Sequence, residues 1–250
     1  MSFPLAMLPL LVVAGGLAGF VNTVAGGGSL FTFPLLVLLG FAPQDANGTI
    51  RVTIILQNLV AVPAYAREGY AFPRSALALG CAAIPGALAG ALVAARLDAD
   101  PFRNVAALLL VLVLSTLFLN PKAWLRREAH ADIRWARTLL LMVAVGFYGG
   151  FFQIGVGVLF LTVTVLVGGW DLVTANSLKV AVVLLYTVVS LLVFAAHGQV
   201  DWTAGAALGV GNMAGAALGA RSAVRKGPGW IRWIIAAMVA VGVVRLLFFR

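Results

Sequence analysis

The sequence predicts an all-α, polytopic integral membrane protein built from two homologous repeats with glycine-broken helices. Three observations carry that prediction. Of 250 residues, 62% are hydrophobic and only 10% charged, with a mean hydropathy of +1.06, a balance that no water-facing surface accommodates. Apolar runs close to the roughly 20 residues that cross a hydrocarbon core recur along the whole chain. One constant shift along the sequence lays one half on the other, pairing Gly26 with Gly155, Gly28 with Gly157, Gly40 with Gly169, Asn47 with Asn176, Gly69 with Gly198, Gly86 with Gly215 and Gly90 with Gly219.

In chain order, the apolar runs 5–24, 49–66, 75–95, 105–119, 138–152, 178–196, 204–220 and 234–249 give about eight full spans. Two shorter pieces, 30–39 and 158–167, each follow a glycine break. At about 1.5 Å per residue they are too short to cross unaided and read as half-helices. The organisation expected is a first transmembrane repeat over 1–119, a basic cytoplasmic connector over 120–137 and a second repeat over 138–250. Counting each half-helix as part of a crossing gives inverted repeats; treating it as re-entrant gives parallel ones. Hydrophobicity runs all round most segments, as in helices that touch lipid and one another. The period-2 alternation of a membrane barrel is missing.

The formal charge of +9 sits in loops beside apolar spans, which points to retention on the cytoplasmic side and not to nucleic acid. Lys122, Arg126, Arg127, Arg134 and Arg137 lie in the connector, and Arg221, Arg225, Lys226 and Arg232 form a second basic stretch. The six tryptophans lie near span ends, where an interfacial belt would place them. The start of the chain lacks the basic region of a signal peptide, so its apolar run is expected to be the first span. A lone Cys81 allows no internal disulfide, and no zinc pattern exists.

The chemistry-bearing residues cluster around the breaks. Gly26, Gly27 and Gly28 cannot hold a straight helix, since each costs roughly 1 kcal/mol relative to alanine. An open backbone in the membrane needs protein or a polar cavity around it. A short helix starting at Ser29 would aim its N-terminal amides into that cavity, an anion site in outline, and Gly155 and Gly157 would supply the second copy. The alternative is that these glycines only allow tight helix crossing. Asn47 and Asn176 read as helix N-caps. Arg51 and Lys179, soon after them, would oppose the helix dipole, which a bound anion would offset; the alternative is snorkelling to headgroups. Thr49, Thr53 and Gln57 share a helix face, and Gln153, Thr187 and Asn212 add polar groups within spans. The GxxxG pairs Gly86/Gly90 and Gly215/Gly219 are expected to be packing seams. Carboxylates stand at loop positions, so no acidic proton or sodium relay is expected in a span. A buried nucleophile or acid–base pair is missing, which argues against an enzyme.

With the glycine break, Phe33-Pro34, the Ala46-Asn47-Gly48-Thr49 start and the duplication in hand, the chain resembles the TauE/SafE sulfite exporter family, also described as toluene sulfonate uptake permeases. The resemblance is clearest over 19–96 and 146–225. Gly26, Gly27, Gly28, Pro34, Ala46, Gly48 and Thr49 match the family signature. The second copy departs from it at Val156, Val158, Val163 and Asn176-Ser177-Leu178. The resemblance implies a multi-pass inner-membrane transporter of sulfite, a sulfonate or a related organosulfur oxyanion, working by alternating access at the repeat interface without a cofactor or metal. The substrate-binding candidates are Gly26, Gly27, Gly28, Ser29, Asn47, Thr49, Arg51, Gln57, Gln153, Gly155, Gly157, Asn176 and Lys179. The partners expected are a small anion, the bilayer and, as an option, further copies of the chain, with the coupling ion left open. The rival readings are a transporter of an unrelated small anion and a membrane assembly subunit that uses its GxxxG faces.

Overall fold

A computed structural model describes residues 7–71, 73–97 and 134–248. The expected span over 105–119, most of the basic connector, Trp124, His130, Asp98 and Asp100 lie outside the described residues. Everything else is helical or a short turn. The helices are α1 (Leu8–Ala25), α2 (Ser29–Leu38), α3 (Pro43–Arg67), α4 (Pro73–Arg96), α5 (Trp135–Phe151), α6 (Val156–Thr162, continued as a π-helix over Val163–Gly168), α7 (Leu172–Ala196) and α8 (Trp202–Phe248). α8 is two helical segments meeting at Gly227, whose φ of 72° and following Pro228 break the run. Among the described residues, α1, α3, α4 and α7 are long and apolar enough to cross a membrane, and α5 and the α6 segment are shorter apolar helices.

The distribution of polarity is that of a protein in lipid. Leu17, Leu38, Leu140, Leu192 and Leu218 are 65–77% exposed, whereas Asn47, Thr49, Arg51, Asn176 and Thr187 are wholly buried. An apolar exterior over a polar interior is unfavourable in water and natural in a bilayer.

Glycine sets where each helix stops. Gly26, Gly40, Gly69, Gly155, Gly169, Gly198 and Gly227 have positive φ, a region that side chains strongly disfavour. All but Gly227 fall into the pairs of the sequence repeat: Gly26 with Gly155, Gly40 with Gly169 and Gly69 with Gly198. The repeat therefore marks the same backbone event in both halves: the break before the short helix, the end of that helix, and the end of the long helix after it.

The halves interlock. α1 and α3 lie along α8, while α4 lies along α5 and α7, so the broadest helix contacts all join one half to the other. Two glycine seams make this close approach possible. A Cβ on Gly86 or Gly90 would stand 2.0 or 2.1 Å from the carbonyl oxygens of Val143 or Phe147, and one on Gly215 would stand 2.0 Å from that of Gly16. These are the packing seams expected of the GxxxG pairs, each against the first helix of the opposite half. Trp170 departs from the interfacial belt: it is 5% exposed and packs edge-on against Trp135, with ring centroids 5.3 Å apart.

Candidate functional site

The two glycine breaks meet. A Cβ on Gly157 would stand 2.3 Å from Gly26 Cα, and one on Gly26 would stand 2.6 Å from Gly157 Cα, so the backbones touch with no room for a methyl group. Tight crossing is thus part of what these glycines do. Gly28 is equally confined, its Cβ position 1.9 Å from the Ala18 carbonyl oxygen. α2 and α6 begin beside this contact, and neither has a side-chain cap at its N-terminus.

Next to the crossing lies a small cavity of about 10 Å³, lined by Asn22 of α1, Gln57 and Asn58 of α3, Gln153 and Gly157 at the second break, Lys179 of α7 and four aliphatic residues. That is space for about one water. Four expected site residues, Gln57, Gln153, Gly157 and Lys179, therefore share one wall.

Asn47 and Asn176 are not helix N-caps. α3 starts at Pro43 and α7 at Leu172, where the Asp171 carboxylate caps the amides of Val173 and Thr174. Each asparagine is the fifth residue of its helix, so the start signals that matter are proline in one case and aspartate in the other. Arg51 and Lys179 consequently lie in the third turn, and the dipole argument built on a first-turn cation does not apply. Nor do they snorkel: Arg51 is 0% and Lys179 3% exposed.

What they do is hold the ends of the broken helices. Arg51 donates from Nη1 to the Gly149 carbonyl (3.0 Å) and from Nη2 to that of Gly150, at the C-terminus of α5. Asn47 Nδ2 donates to the next carbonyl, Phe151 (2.9 Å). In the other half, Lys179 Nζ donates to the carbonyls of Asn22 (2.9 Å) and Thr23 (3.2 Å), and Asn176 Nδ2 donates to that of Val24 (2.8 Å), at the C-terminus of α1. Three consecutive carbonyls are held in each clamp, Gly149, Gly150 and Phe151 answering in order to Asn22, Thr23 and Val24. A helix C-terminus leaves its last carbonyls unpaired and carries partial negative charge, so a cation and an amide donor there satisfy both. Among the described residues no carboxylate lies within ion-pair distance of either cation; the described ion pair is Arg221 with Glu68, at 4.0 Å.

The clamps differ in detail. Arg51 also reaches Gln153 Oε1 (3.2 Å), lies 4.4 Å from the Phe194 ring centroid, and leaves its buried Nε unpaired. It is not on the cavity wall. Lys179 is, and its third proton goes to Asn176 Oδ1 at 2.6 Å. Around it runs an amide chain: Asn22 Nδ2 and Asn212 Nδ2 both donate to Gln57 Oε1, and Gln57 Nε2 donates to Asn58 Oδ1. Asn58 Nδ2, on the cavity wall, is buried with no partner. Sequence reasoning missed Asn22; the signal was an amide in the last turn of an otherwise apolar span.

The remaining expected residues lie elsewhere. Thr49 Oγ1 accepts the Asp201 amide (2.9 Å) and Thr53 Oγ1 donates to the Gly205 carbonyl, so that face of α3 is joined to the start of α8. Ser29, Gly27 and Gly155 are buried around the breaks but off the cavity wall. The described residues contain no group of three or more metal-ligating side chains.

Comparison with known proteins agrees with this architecture. The family described as sulfite exporter TauE/SafE matches residues 11–246, and the chain belongs to that family. It is similar to the probable membrane transporter protein ORF9 of Sinorhizobium sp, 28% identical over 241 residues, 96% of this chain and 92% of the relative. It is also similar to the probable membrane transporter protein YfcA of Escherichia coli strain K12, 27% identical over 242 residues, 97% of this chain and 90% of the relative. No solved structure matches it. Fold, family and relatives together make it an integral membrane transporter.

Proposed function

We propose that this TauE/SafE family member carries a small oxyanion, sulfite or a simple sulfonate, through the cavity between its two glycine breaks. The observation that carries the reading is the cavity wall itself, where buried Lys179, with no acidic partner among the described residues, shares the wall with the unpaired amide of Asn58. A buried cation without a counter-ion costs several kcal/mol. Neutral carbonyls offset part of that cost, and an arriving anion would offset more. The start of α6 at Val156, on the same wall and without a side-chain cap, adds a favourable end of a helix dipole.

At about 10 Å³ the cavity is too small for an anion of four or more heavy atoms. Binding therefore requires the breaks to part, and Lys179 to exchange at least one of its three acceptors for a ligand oxygen. Each helix clamped at its broken end belongs to the opposite half from its clamp. Movement of one half relative to the other would therefore change both clamps together, which is the form alternating access would take here. In this reading Gln57, Gln153, Asn58, Gly157 and Lys179 contact the anion, while Asn47, Arg51 and Asn176 fix the backbone around it. The protein acts in the inner membrane as a multi-pass carrier.

Uptake of labelled sulfite, sulfate, taurine and methanesulfonate into proteoliposomes of the purified protein tests this. Saturable flux of at least one, above protein-free vesicles, is expected. Flux of none would favour a membrane assembly subunit.

A further inference from the structure

We propose that Lys179 is also the proton carrier of this transporter, so that one proton travels with each univalent anion; this rests on the anion-transport reading above. Two positions that are equivalent in their geometry are filled by two different cations. Arg51 and Lys179 each reach two successive carbonyls at the end of a broken helix, beside an asparagine that takes the third. A guanidinium keeps its charge under all physiological conditions, whereas an ammonium can release a proton and keep the same position. The fixed charge is off the cavity wall and the exchangeable one is on it.

Every other described residue of that wall is an amide, a glycine or an aliphatic side chain, so among the described residues Lys179 is the one wall group able to take up or release a proton. Its three acceptors, the carbonyls of Asn22 and Thr23 and Asn176 Oδ1, are all neutral. Among the described residues no carboxylate neighbours it to lock it in the charged form, so the charge in the cavity decides its protonation. The groups facing it are few among the described residues. α1 and α6 carry no titratable side chain. α3 brings Tyr65, whose hydroxyl shares the Thr23 carbonyl at 3.2 Å, and Arg51 in the opposite clamp. The Tyr148 hydroxyl of α5 is taken by the Ile154 carbonyl, and Arg134 and Arg137 stand exposed at that helix's far end. α4 carries Arg74, Cys81 and Arg96, all exposed. α8 carries Arg221, Arg225, Lys226 and Arg232 around its kink, with Arg225 and Lys226 beside Asp171 and Val173 at the head of α7. α3 bears Asp45 and Arg67 at its ends, and α7 itself adds Tyr186.

The cycle balances. With the site open to one side, the neutral amine takes one proton from water onto its lone pair as one univalent anion enters. With the site open to the other side, the anion leaves and the ammonium returns that proton to water. One anion and one proton cross together and no net charge moves.

The test compares two modes in proteoliposomes with whichever anion of the panel above is carried. Anion–anion exchange needs no change in protonation, whereas uphill accumulation driven by an acid exterior does. Wild type is expected to show both. Lys179→Arg places a guanidinium where the chain already accommodates one in the other clamp; it should weaken exchange, and lower the ratio of acid-driven accumulation to exchange by about tenfold or more because its charge is fixed. A merely structural lysine would move both modes equally, and an equal loss overturns the proposal. Wild-type exchange without acid-driven accumulation overturns it too, independently of any variant, while leaving anion transport standing. Absence of all flux removes both readings.

Discussion

Gly157→Ala is the most direct probe of the central crossing. The new Cβ would lie 2.3 Å from Gly26 Cα and 2.5 Å from Gly26 O. Ordinary contact for a Cβ begins near 3.4 Å, so the two backbones must part by about 1 Å. Neither side can yield by turning a side chain, because both residues are glycine. α1 cannot slide aside easily either: its end is held by Asn176 and Lys179, and its length is seamed to α8. Overpacking of this kind costs about 1–3 kcal/mol, a large share of the roughly 5–15 kcal/mol that folded proteins have in hand. At about 2–4 °C per kcal/mol for a chain of this size, the unfolding midpoint should fall by roughly 2–12 °C. Thermal unfolding in detergent reads that shift, and flux in proteoliposomes should fall with it because the break also forms the cavity wall. Gly16→Ala in α1 is the control: its Cβ would meet nothing nearer than the Gly211 carbonyl at 3.8 Å. If the Gly157 variant matches the Gly16 variant in midpoint and flux, the two breaks do not touch and the site has been placed wrongly.

Arg51→Gln should lower stability, not merely affinity. It leaves the Gly149 and Gly150 carbonyls without donors, at about 1–3 kcal/mol each. Arg51→Lys should recover part of the loss, since Lys179 already bridges two such carbonyls. Size-exclusion profiles and unfolding midpoints measure this, and wild-type stability in Arg51→Gln would show that the clamp carries no weight. Gly90→Leu should sharply reduce the monodisperse yield, because its Cβ would stand 2.1 Å from the Phe147 carbonyl oxygen, whereas Gly229→Leu, with nothing within 4 Å, should not. Equal yields would refute the α4–α5 seam.

Much of this was legible in the sequence because it is local. Left-handed backbone at Gly26, Gly40 and Gly69 and at their repeat partners Gly155, Gly169 and Gly198 follows from glycine's freedom at positive φ, which no distant contact has to supply. The helical class, the short helix from Ser29 and the small-residue seams follow from run length, breaks and spacing. Helix starts were less legible. Asn47 and Asn176 look like caps, yet Pro43 and Asp171 begin the helices a turn earlier, since several polar residues in a row compete for one start.

What the tertiary structure alone decided is where the cations go. Arg51 and Lys179 read as ligands or as snorkelling side chains because every helix has a carbonyl-rich end, and nothing local says which end a buried cation will meet. The partners of Arg51 are 98–102 residues away in the chain and the carbonyl partners of Lys179 are 156–157 away. Only the interlocking of the two halves brings them together. The clamped carbonyls do not even keep the register of the glycine repeat: Asn22 answers to Gly149, whereas Gly26 answers to Gly155. Packing nonetheless makes the two clamps equivalent. It also puts Lys179, and not Arg51, on the cavity wall.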